Sequence, residues 1–266
     1  MDINQPRKYR GFRVALAALG MAVLSCVPAV SATAATSTGT TAPGTTAPGT
    51  TAPGTTVFSV GTVDALASDI NLVPGDLPGW RHTTTSTAKR DQAEEVSIEK
   101  CAGAPNPAKT IVAQVESLNF VAGKTYAFSN FQIAATPQLA LDGLQTQQTP
   151  QLLACVRKIV PAYIKAGLPK GLSVANAKAS ALVVAGAPAS SVGYRVVTTL
   201  KIATGELPLT LNSTTDVVWF VLGRAEIELN MTQVGESFNL LDSEWQQHLL
   251  GLLVTRAQRY NVTLSQ

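Results

Sequence analysis

A five-residue repeat, Thr-Thr-Ala-Pro-Gly, occurs three times between Thr40 and Thr56 and sets the tightest limit on where this chain can fold. Proline at every fifth position prevents a helix or a central strand from forming there. Residues 35–56 contain only Thr, Ala, Gly, Pro and Ser, so they have too little apolar surface to build a core. We therefore expect a disordered stalk over 35–56 and one globular domain over 57–266, which is long enough to bury a core of its own.

The residues before the stalk have the pattern of an export signal. Met1–Arg13 is positively charged, Val14–Val27 is largely apolar, and Ala32-Thr33-Ala34 offers small residues to a signal peptidase. The apolar run is shorter than the roughly 20 residues that a membrane-spanning helix needs. This pattern predicts a signal peptide over residues 1–34 and favours it over a retained anchor helix.

A second interpretation of the same segment involves Cys26. Val23-Leu24-Ser25-Cys26 resembles the lipobox of bacterial lipoproteins, in which the cysteine is acylated and becomes the new N-terminus. Residues 1–25 would then be removed, and the stalk would tether the domain to the outer face of the membrane. Both alternatives stay open, secreted or lipid-anchored, and both predict an extracytoplasmic protein.

The charge of the chain excludes one class of partner. Four basic residues before position 14 outnumber the single acid Asp2 by three, which equals the whole formal net charge of +3. The exported part is therefore neutral, and we expect no electrostatic binding to nucleic acid. Membrane contact is expected only through an N-terminal lipid, and the ligand or envelope partner is unknown.

The globular part alternates between helical and strand-like patterns. Thr136-Pro137 and Thr149-Pro150 each pair an N-cap residue with a proline at the first helical position. Further helices are predicted from Asp91 to Cys101 and from Ser237 to Tyr260. Strands are predicted over Ile111–Val121, Lys124–Ala134, Tyr194–Ile202, Val217–Leu222 and Ala225–Met231. Val217–Leu222 is apolar on both faces, whereas Ala225–Met231 alternates as a strand with one wet face would. The expected fold is α+β, an antiparallel sheet packed by helices.

Three short segments carry a family resemblance. They are Asp76-Leu77-Pro78-Gly79-Trp80, Glu99-Lys100-Cys101-Ala102-Gly103 and Leu153-Ala154-Cys155-Val156-Arg157. Together they resemble a group of actinobacterial exported proteins that is similar to the PknH-like extracellular sensor domains and, more loosely, to the PsbP and LpqN lipoproteins. The resemblance implies an αβα-type sandwich that binds or senses a ligand, without established catalysis.

The chain has three cysteines, and Cys26 is either cleaved away or consumed by lipid. One pair then remains in an oxidising compartment, where paired cysteines generally bond. We expect a Cys101–Cys155 disulfide, and the same pair lies within the segments of the resemblance.

The sequence offers little for catalysis. His82 and His248 have no metal-ligand spacing around them, and Gly123-Lys124-Thr125 is interpreted as a hairpin turn, not a phosphate-binding loop. A Gly-x-Ser-x-Gly nucleophile elbow does not occur. No catalytic, cofactor-binding or metal-binding residue is therefore assigned, and no cofactor is expected.

One pair of acids remains to be interpreted. Glu226 and Glu228 share a strand face, and we expect them to form a solvated charge ladder with Arg224 and Lys201. The leading hypothesis is a non-enzymatic binding or sensing module of the cell envelope. The alternatives are an envelope hydrolase that uses Glu226 and Glu228 and a structural or assembly accessory protein.

Overall fold

The computed structural model describes residues 60–83, 97–98, 100–103, 110–167, 172–202, 209–235 and 240–264. The predicted signal peptide, the stalk and Cys26 lie outside these residues, and so does the expected helix start at Asp91. Among the described helices, none is both long enough and apolar enough to span a membrane.

Eight strands and five helices are described. The strands are β1 (Arg81–Thr83), β2 (Ile111–Glu116), β3 (Asn119–Ala122), β4 (Thr125–Ala134), β5 (Leu172–Ala181), β6 (Ser191–Ile202), β7 (Leu209–Leu222) and β8 (Ala225–Val234). The helices are α1 (Val60–Ile70), α2 (Pro137–Gln147), α3 (Pro150–Gly167), α4 (Leu240–Arg259) and α5 (Asn261–Leu264). Residues 97, 98 and 100–102 are also helical.

All the strands pair antiparallel in one sheet of order β1-β3-β4-β8-β7-β6-β5, and β2 pairs with β4 beside β3. Helices cover both faces. One apolar core lies between the sheet and α2, α3 and the helical residues around Ile98, and the other lies between the sheet and α1, α4 and α5. The α+β prediction with an antiparallel sheet is confirmed, and its layers are those of an αβα sandwich.

The predicted helix starts are confirmed by their caps. The Thr136 hydroxyl accepts a hydrogen bond from the Leu139 amide at 3.1 Å, and the Thr149 hydroxyl accepts one from Leu152 at 3.3 Å. Pro161 lies inside α3, and the helix continues beyond it to Gly167.

Among the differences from the predictions, two concern the region before β3. The run Ile111–Val121 is not one strand: it divides at Ser117, whose hydroxyl accepts a hydrogen bond from the Ser129 amide at 2.9 Å. The helix Val60–Ile70 was not expected, and its buried residues pack on the α4 side of the sheet. Ala- and Ser-containing sequence next to the stalk has a weak apolar pattern, so only tertiary packing distinguishes this helix from the linker.

The strand β5 pairs with β6, and it pairs with no other described strand. The Arg157 side chain of α3 reaches back to it and donates hydrogen bonds from Nε and Nη2 to the Ala179 carbonyl, at 2.9 and 2.7 Å. One backbone acceptor of this strand is therefore occupied by the chain itself.

Candidate functional site

Polar side chains cross three neighbouring strands on the face of the sheet that α2 and α3 cover. In the strand register, Glu116 of β2 lies opposite Asn130 of β4, and Asn130 lies opposite Glu228 of β8. Glu228 in turn lies opposite Trp219 of β7. Directly opposed residues point to the same face of a sheet, so these four side chains form one row.

A second row lies two residues further along the same strands. Gln114 is opposite Gln132, and Gln132 is opposite Glu226. Asn230, two residues beyond Glu228, points to the same face. We call the polar members the Glu228 cluster: Gln114, Glu116, Asn130, Gln132, Glu226, Glu228 and Asn230.

The row through Glu116, Asn130 and Glu228 becomes more buried from β2 towards the middle of the sheet. Glu116 and Gln114 are partly exposed, whereas Asn130, Glu228 and Asn230 are 0, 1 and 1% exposed. Beyond Glu228, the Trp219 ring makes an edge-to-face contact with Tyr194, with ring centroids 5.5 Å apart. The cluster thus has a half-exposed outer end on β2 and a closed aromatic end on β7 and β6.

The expected solvated ladder of Glu226 and Glu228 is wrong. Glu228 is buried, and Glu226 lies under α2, where a Cβ added to Gly143 would stand 3.5 Å from Glu226 Oε1. Arg224 is buried and donates Nε to the Ala134 carbonyl at 2.9 Å, while Lys201 is exposed on the distant strand β6. The alternation of polar and apolar residues in β8 therefore distinguishes a polar face from an apolar face, and helices cover both of them.

The innermost polar groups are not satisfied by the protein. Both carboxyl oxygens of Glu228, both amide atoms of Asn130 and Nδ2 of Asn230 are buried and make no hydrogen bond of ordinary geometry with other parts of the structure. Such groups are rare in folded proteins, because a polar group loses its hydrogen bonds to water on burial and here no protein group replaces them with good geometry. They identify this row as the most unusual polar feature among the described residues.

Burial, together with the smaller effect of the nearby charge of Glu116, raises the pKa of Glu228 from 4.5 to about 8. Weak hydrogen bonds from the side chains of Asn230, Asn130 and Trp219 offset part of this rise in pKa. Glu228 is therefore largely protonated at neutral pH, although no hydrogen bond of good geometry holds either oxygen.

A second polar group lies on the opposite face, where α4 packs, and it is well connected. Asp216 accepts hydrogen bonds from Arg195 and from Gln246 Nε2, and Thr125 donates to Asp242 at 3.2 Å and to Gln233. This group connects α4 to the sheet. Because its members hydrogen bond to one another, we assign it a structural role.

The histidines lie apart from the Glu228 cluster. His82 is exposed on β1 beside Phe120, and His248 is exposed on α4 beside Trp245, with ring centroids 6.1 and 5.9 Å apart. Among the described residues, no group of three or more His, Cys, Asp or Glu side chains is placed to hold a metal ion. Gly123 and Lys124 form the turn between β3 and β4, as expected, with Gly123 at φ 57°.

The Cys101 and Cys155 sulfurs are bonded to each other, as the sequence predicts, with their Cα atoms 5.8 Å apart. The bond joins the helical residues 100–102 to α3. It therefore fixes two parts of the layer that covers the same face as the Glu228 cluster.

Sequence reasoning found Glu226 and Glu228 but missed their surroundings. Asn130, Gln132 and Asn230 were not singled out, although each is a polar residue inside a predicted strand. The cluster could have been found from one sequence pattern: polar residues repeat at a spacing of two in strands that helices cover on both sides. Recognising it required the knowledge that helices cover both faces.

Comparisons with known proteins give a weak structural likeness. No family model matches the chain, and a search of curated proteins finds no match. Among solved structures, the chain is similar to the extracellular domain of PknH from Mycobacterium tuberculosis, with a TM-score of 0.33 and 11% identity, covering 76% of this chain and 100% of that one. The looser resemblance to PsbP and LpqN lipoproteins receives no support from these comparisons.

Proposed function

We propose that this protein is an exported binding module of the cell envelope, non-enzymatic, whose ligand is held at the Glu228 cluster. One observation carries the proposal: Glu228, Asn130 and Asn230 are buried and present polar atoms without hydrogen bonds of ordinary geometry. Each such group costs roughly 1–3 kcal/mol of stability. Buried polar groups without well-formed hydrogen bonds destabilise a fold, and such groups are expected mainly at functional sites.

The rest of the molecule supports a binding role. The sheet forms a continuous ladder from β3 to β5, and the disulfide ties part of the helical layer together. Side chains on regular strands are held more precisely than side chains on loops. The Glu228 cluster is thus placed on a rigid surface, next to the aromatic pair Trp219 and Tyr194.

A ligand screen tests the proposal. Thermal shifts of the purified mature protein are measured with cell-wall fragments, phospholipid vesicles and peptides. We expect one class to raise Tm in the wild type and to have no such effect on Glu228→Gln. Glu244→Gln, an exposed acid on α4, is the matched control and should respond like the wild type. A panel with no responding class, or a response unchanged by Glu228→Gln, would argue against the site.

Export and attachment belong to the same proposal and have their own test. If Cys26 is acylated, Cys26→Ala releases the protein from the membrane fraction. If the protein is secreted, intact-mass analysis finds a mature N-terminus near Ala35. Retention of residues 1–25 in the mature protein would contradict both routes.

A carboxylate-dependent hydrolase is the second candidate, and one observation favours it. Glu228 has its pKa raised to about 8, and one strand, β4, lies between it and the row's other acid, Glu116. A carboxyl group that stays protonated at neutral pH can act as a general acid. Release of product from cell-wall glycan or peptide by the wild type, abolished in Glu228→Gln, would replace the binding proposal with this one.

A further inference from the structure

We propose that helix α2 is a pH-dependent cover of the Glu228 cluster: it stays closed while Glu228 holds a proton and opens more readily once that proton is lost. As a means of regulating access to the cluster, this device rests on the proposed function. The opening itself involves no ligand, so it is tested separately. The case for it begins with the way the two helices on this face are held.

Helix α2 packs over the strands that carry the cluster. Its buried residues belong to the same apolar core as Trp219, which lies opposite Glu228 on β7. At Gly143 the helix comes so close to β8 that an added Cβ would stand 3.5 Å from Glu226 Oε1. Opening of α2 therefore brings water to the polar face of β8.

Few side chains attach α2 to the rest of the protein. Two of its eleven residues, Ala140 and Leu144, are buried. Its neighbour α3 is bonded through Cys155 to Cys101, which fixes it to another part of the same layer. Elements with few buried apolar contacts open locally at a lower free energy than the whole domain. Of the two helices, α2 is therefore the one expected to open.

The closed state favours the protonated form of Glu228. The carboxyl group is 1% exposed, and its weak hydrogen bonds come from neutral groups, the side chains of Asn230, Asn130 and Trp219. Moving a carboxylate from water into neutral, buried surroundings costs far more free energy than moving the protonated acid. A carboxyl group that meets water releases its proton at an ordinary pH.

Acids on the surrounding elements add to this preference. Glu116 on β2 raises the pKa of Glu228 by its charge, and Glu226 lies two residues away on the same strand. Helix α2 contains one ionisable residue, Asp142, which accepts a hydrogen bond from Gln138. Ionisation of Glu228 in the closed state therefore places a buried negative charge near that of Glu116.

The cations described on this side of the sheet are directed to other groups. Arg224, before β8, donates to the Ala134 carbonyl, and Arg157 of α3 donates to the Ala179 carbonyl. Lys100 and Lys158 are exposed. The contrast is with Asp216 on the other face, a buried acid that receives a guanidinium directly from Arg195.

The sign of the pH effect follows from the two states of the helix. The pKa of Glu228 is about 8 under the closed helix and 4.5 in its ordinary environment. Between these values the closed state holds a proton that the open state has released, so each rise in pH favours opening. Above pH 8 the group ionises in both states, and the effect ends.

Hydrogen exchange of the mature protein tests the inference. Protection of the α2 amides, corrected for the intrinsic pH dependence of exchange, is measured near pH 5, 7, 8 and 9. We expect it to fall at least about tenfold from pH 5 to pH 8, to level off above pH 8, and to stay below that of α4 throughout. Protection of α2 that does not change with pH, or that equals the protection of α4 at every pH, overturns the inference.

Variants assign the effect to Glu228. Glu228→Gln should keep α2 protection constant over this range, and Glu244→Gln should follow the wild type. Equal pH dependence in Glu228→Gln and the wild type also overturns the inference. If Glu228→Gln does not fold, the wild-type profile decides, because a loss that continues at the same rate above pH 8 contradicts titration of this group. The ligand screen is independent: a pH-dependent α2 without any Glu228-dependent ligand leaves the cover standing and refutes the proposed function.

Discussion

The Arg195 guanidinium donates two parallel hydrogen bonds to the buried carboxylate of Asp216, from Nε at 2.7 Å and from Nη2 at 2.6 Å. The two residues lie directly opposite each other on β6 and β7. Gln246 of α4 donates to the same carboxylate at 3.1 Å, so the pair also anchors a helix. One buried acid thus links two strands and the helical layer above them.

Arg195→Met should lower the free energy of unfolding by about 2 kcal/mol, because it leaves Asp216 buried with Gln246 as its remaining partner among those described above. The loss is smaller than for a fully buried pair, since the Arg195 side chain is 36% exposed. Urea denaturation followed by circular dichroism measures it.

Lys201→Met is the control for this change, because Lys201 is an exposed cation on the same strand. It should alter the free energy of unfolding by less than about 0.5 kcal/mol. Equal losses for the two variants would show that the ion pair does not stabilise the fold.

The stability of the protein should fall between pH 5 and pH 8 because of Glu228. The pKa of this group is about 8 in the folded state and 4.5 in its ordinary environment. Between these values the folded protein holds a proton that the unfolded chain has released, so each rise in pH favours unfolding. The slope is at most about 1.4 kcal/mol per pH unit. Above pH 8 the group ionises in both states and the decline ends.

Glu228→Gln reproduces the shape of the protonated side chain and cannot ionise. It should match the wild type near pH 5 and be more stable near pH 8, in denaturation series run at both values. Glu244→Gln should follow the wild-type curve throughout. A parallel pH dependence in the wild type and Glu228→Gln would mean that the buried carboxyl does not hold its proton.

Replacing both Cys101 and Cys155 with alanine should lower the free energy of unfolding. The bond closes a loop with a sequence separation of 54 residues. Chain-entropy arguments assign about 4 kcal/mol to a loop of this length. Reductant should destabilise the wild type and leave the double variant unaffected, and an equal response of both proteins would contradict the pairing.

Gly193→Ala should destabilise the protein by more than about 3 kcal/mol, because the new methyl group cannot be accommodated. A Cβ at this position would stand 2.6 Å from the Leu182 carbonyl oxygen, and the Leu182 amide donates to the Gly193 carbonyl at 2.8 Å. The neighbour is backbone held by its own hydrogen bond, so it cannot rotate away. Thermal unfolding measures the loss.

Gly251→Ala is the opposite case. Gly251 lies in α4, and a Cβ there meets nothing within 4 Å. Since alanine favours a helix by roughly 1 kcal/mol over glycine, this variant should be more stable than the wild type. A loss of stability at Gly251 would mean that the outer side of α4 is covered.

Much of the fold could be predicted from local chemistry. Helices begin at Thr136-Pro137 and Thr149-Pro150 because the threonine hydroxyl accepts a hydrogen bond from a first-turn amide and proline fits the first helical position. Both effects involve only the first turn of the helix. Val217–Leu222 is covered on both faces because all its residues are apolar. These predictions succeeded because each depends on residues close together in the sequence.

The candidate site could not be predicted in the same way. Glu228 alternates with apolar neighbours, and that pattern is the same whether the polar face meets water or a helix. The covering layer includes α2, whose Gly143 is more than eighty positions from Glu226 in the sequence. Asn130 and Glu116 join the row only through strand register, which depends on the hairpins between them.

The hydrogen bonds from Arg157 to the Ala179 carbonyl affect how the β5 edges of two copies of this protein can pair. An open strand edge can recruit the same strand of another copy and extend the sheet without limit. Here a second chain must first displace a charged, bidentate donor from the Ala179 carbonyl, near the C-terminal end of β5. Copies of this protein can therefore lie close together with one route to edge-to-edge aggregation blocked by their own arginine.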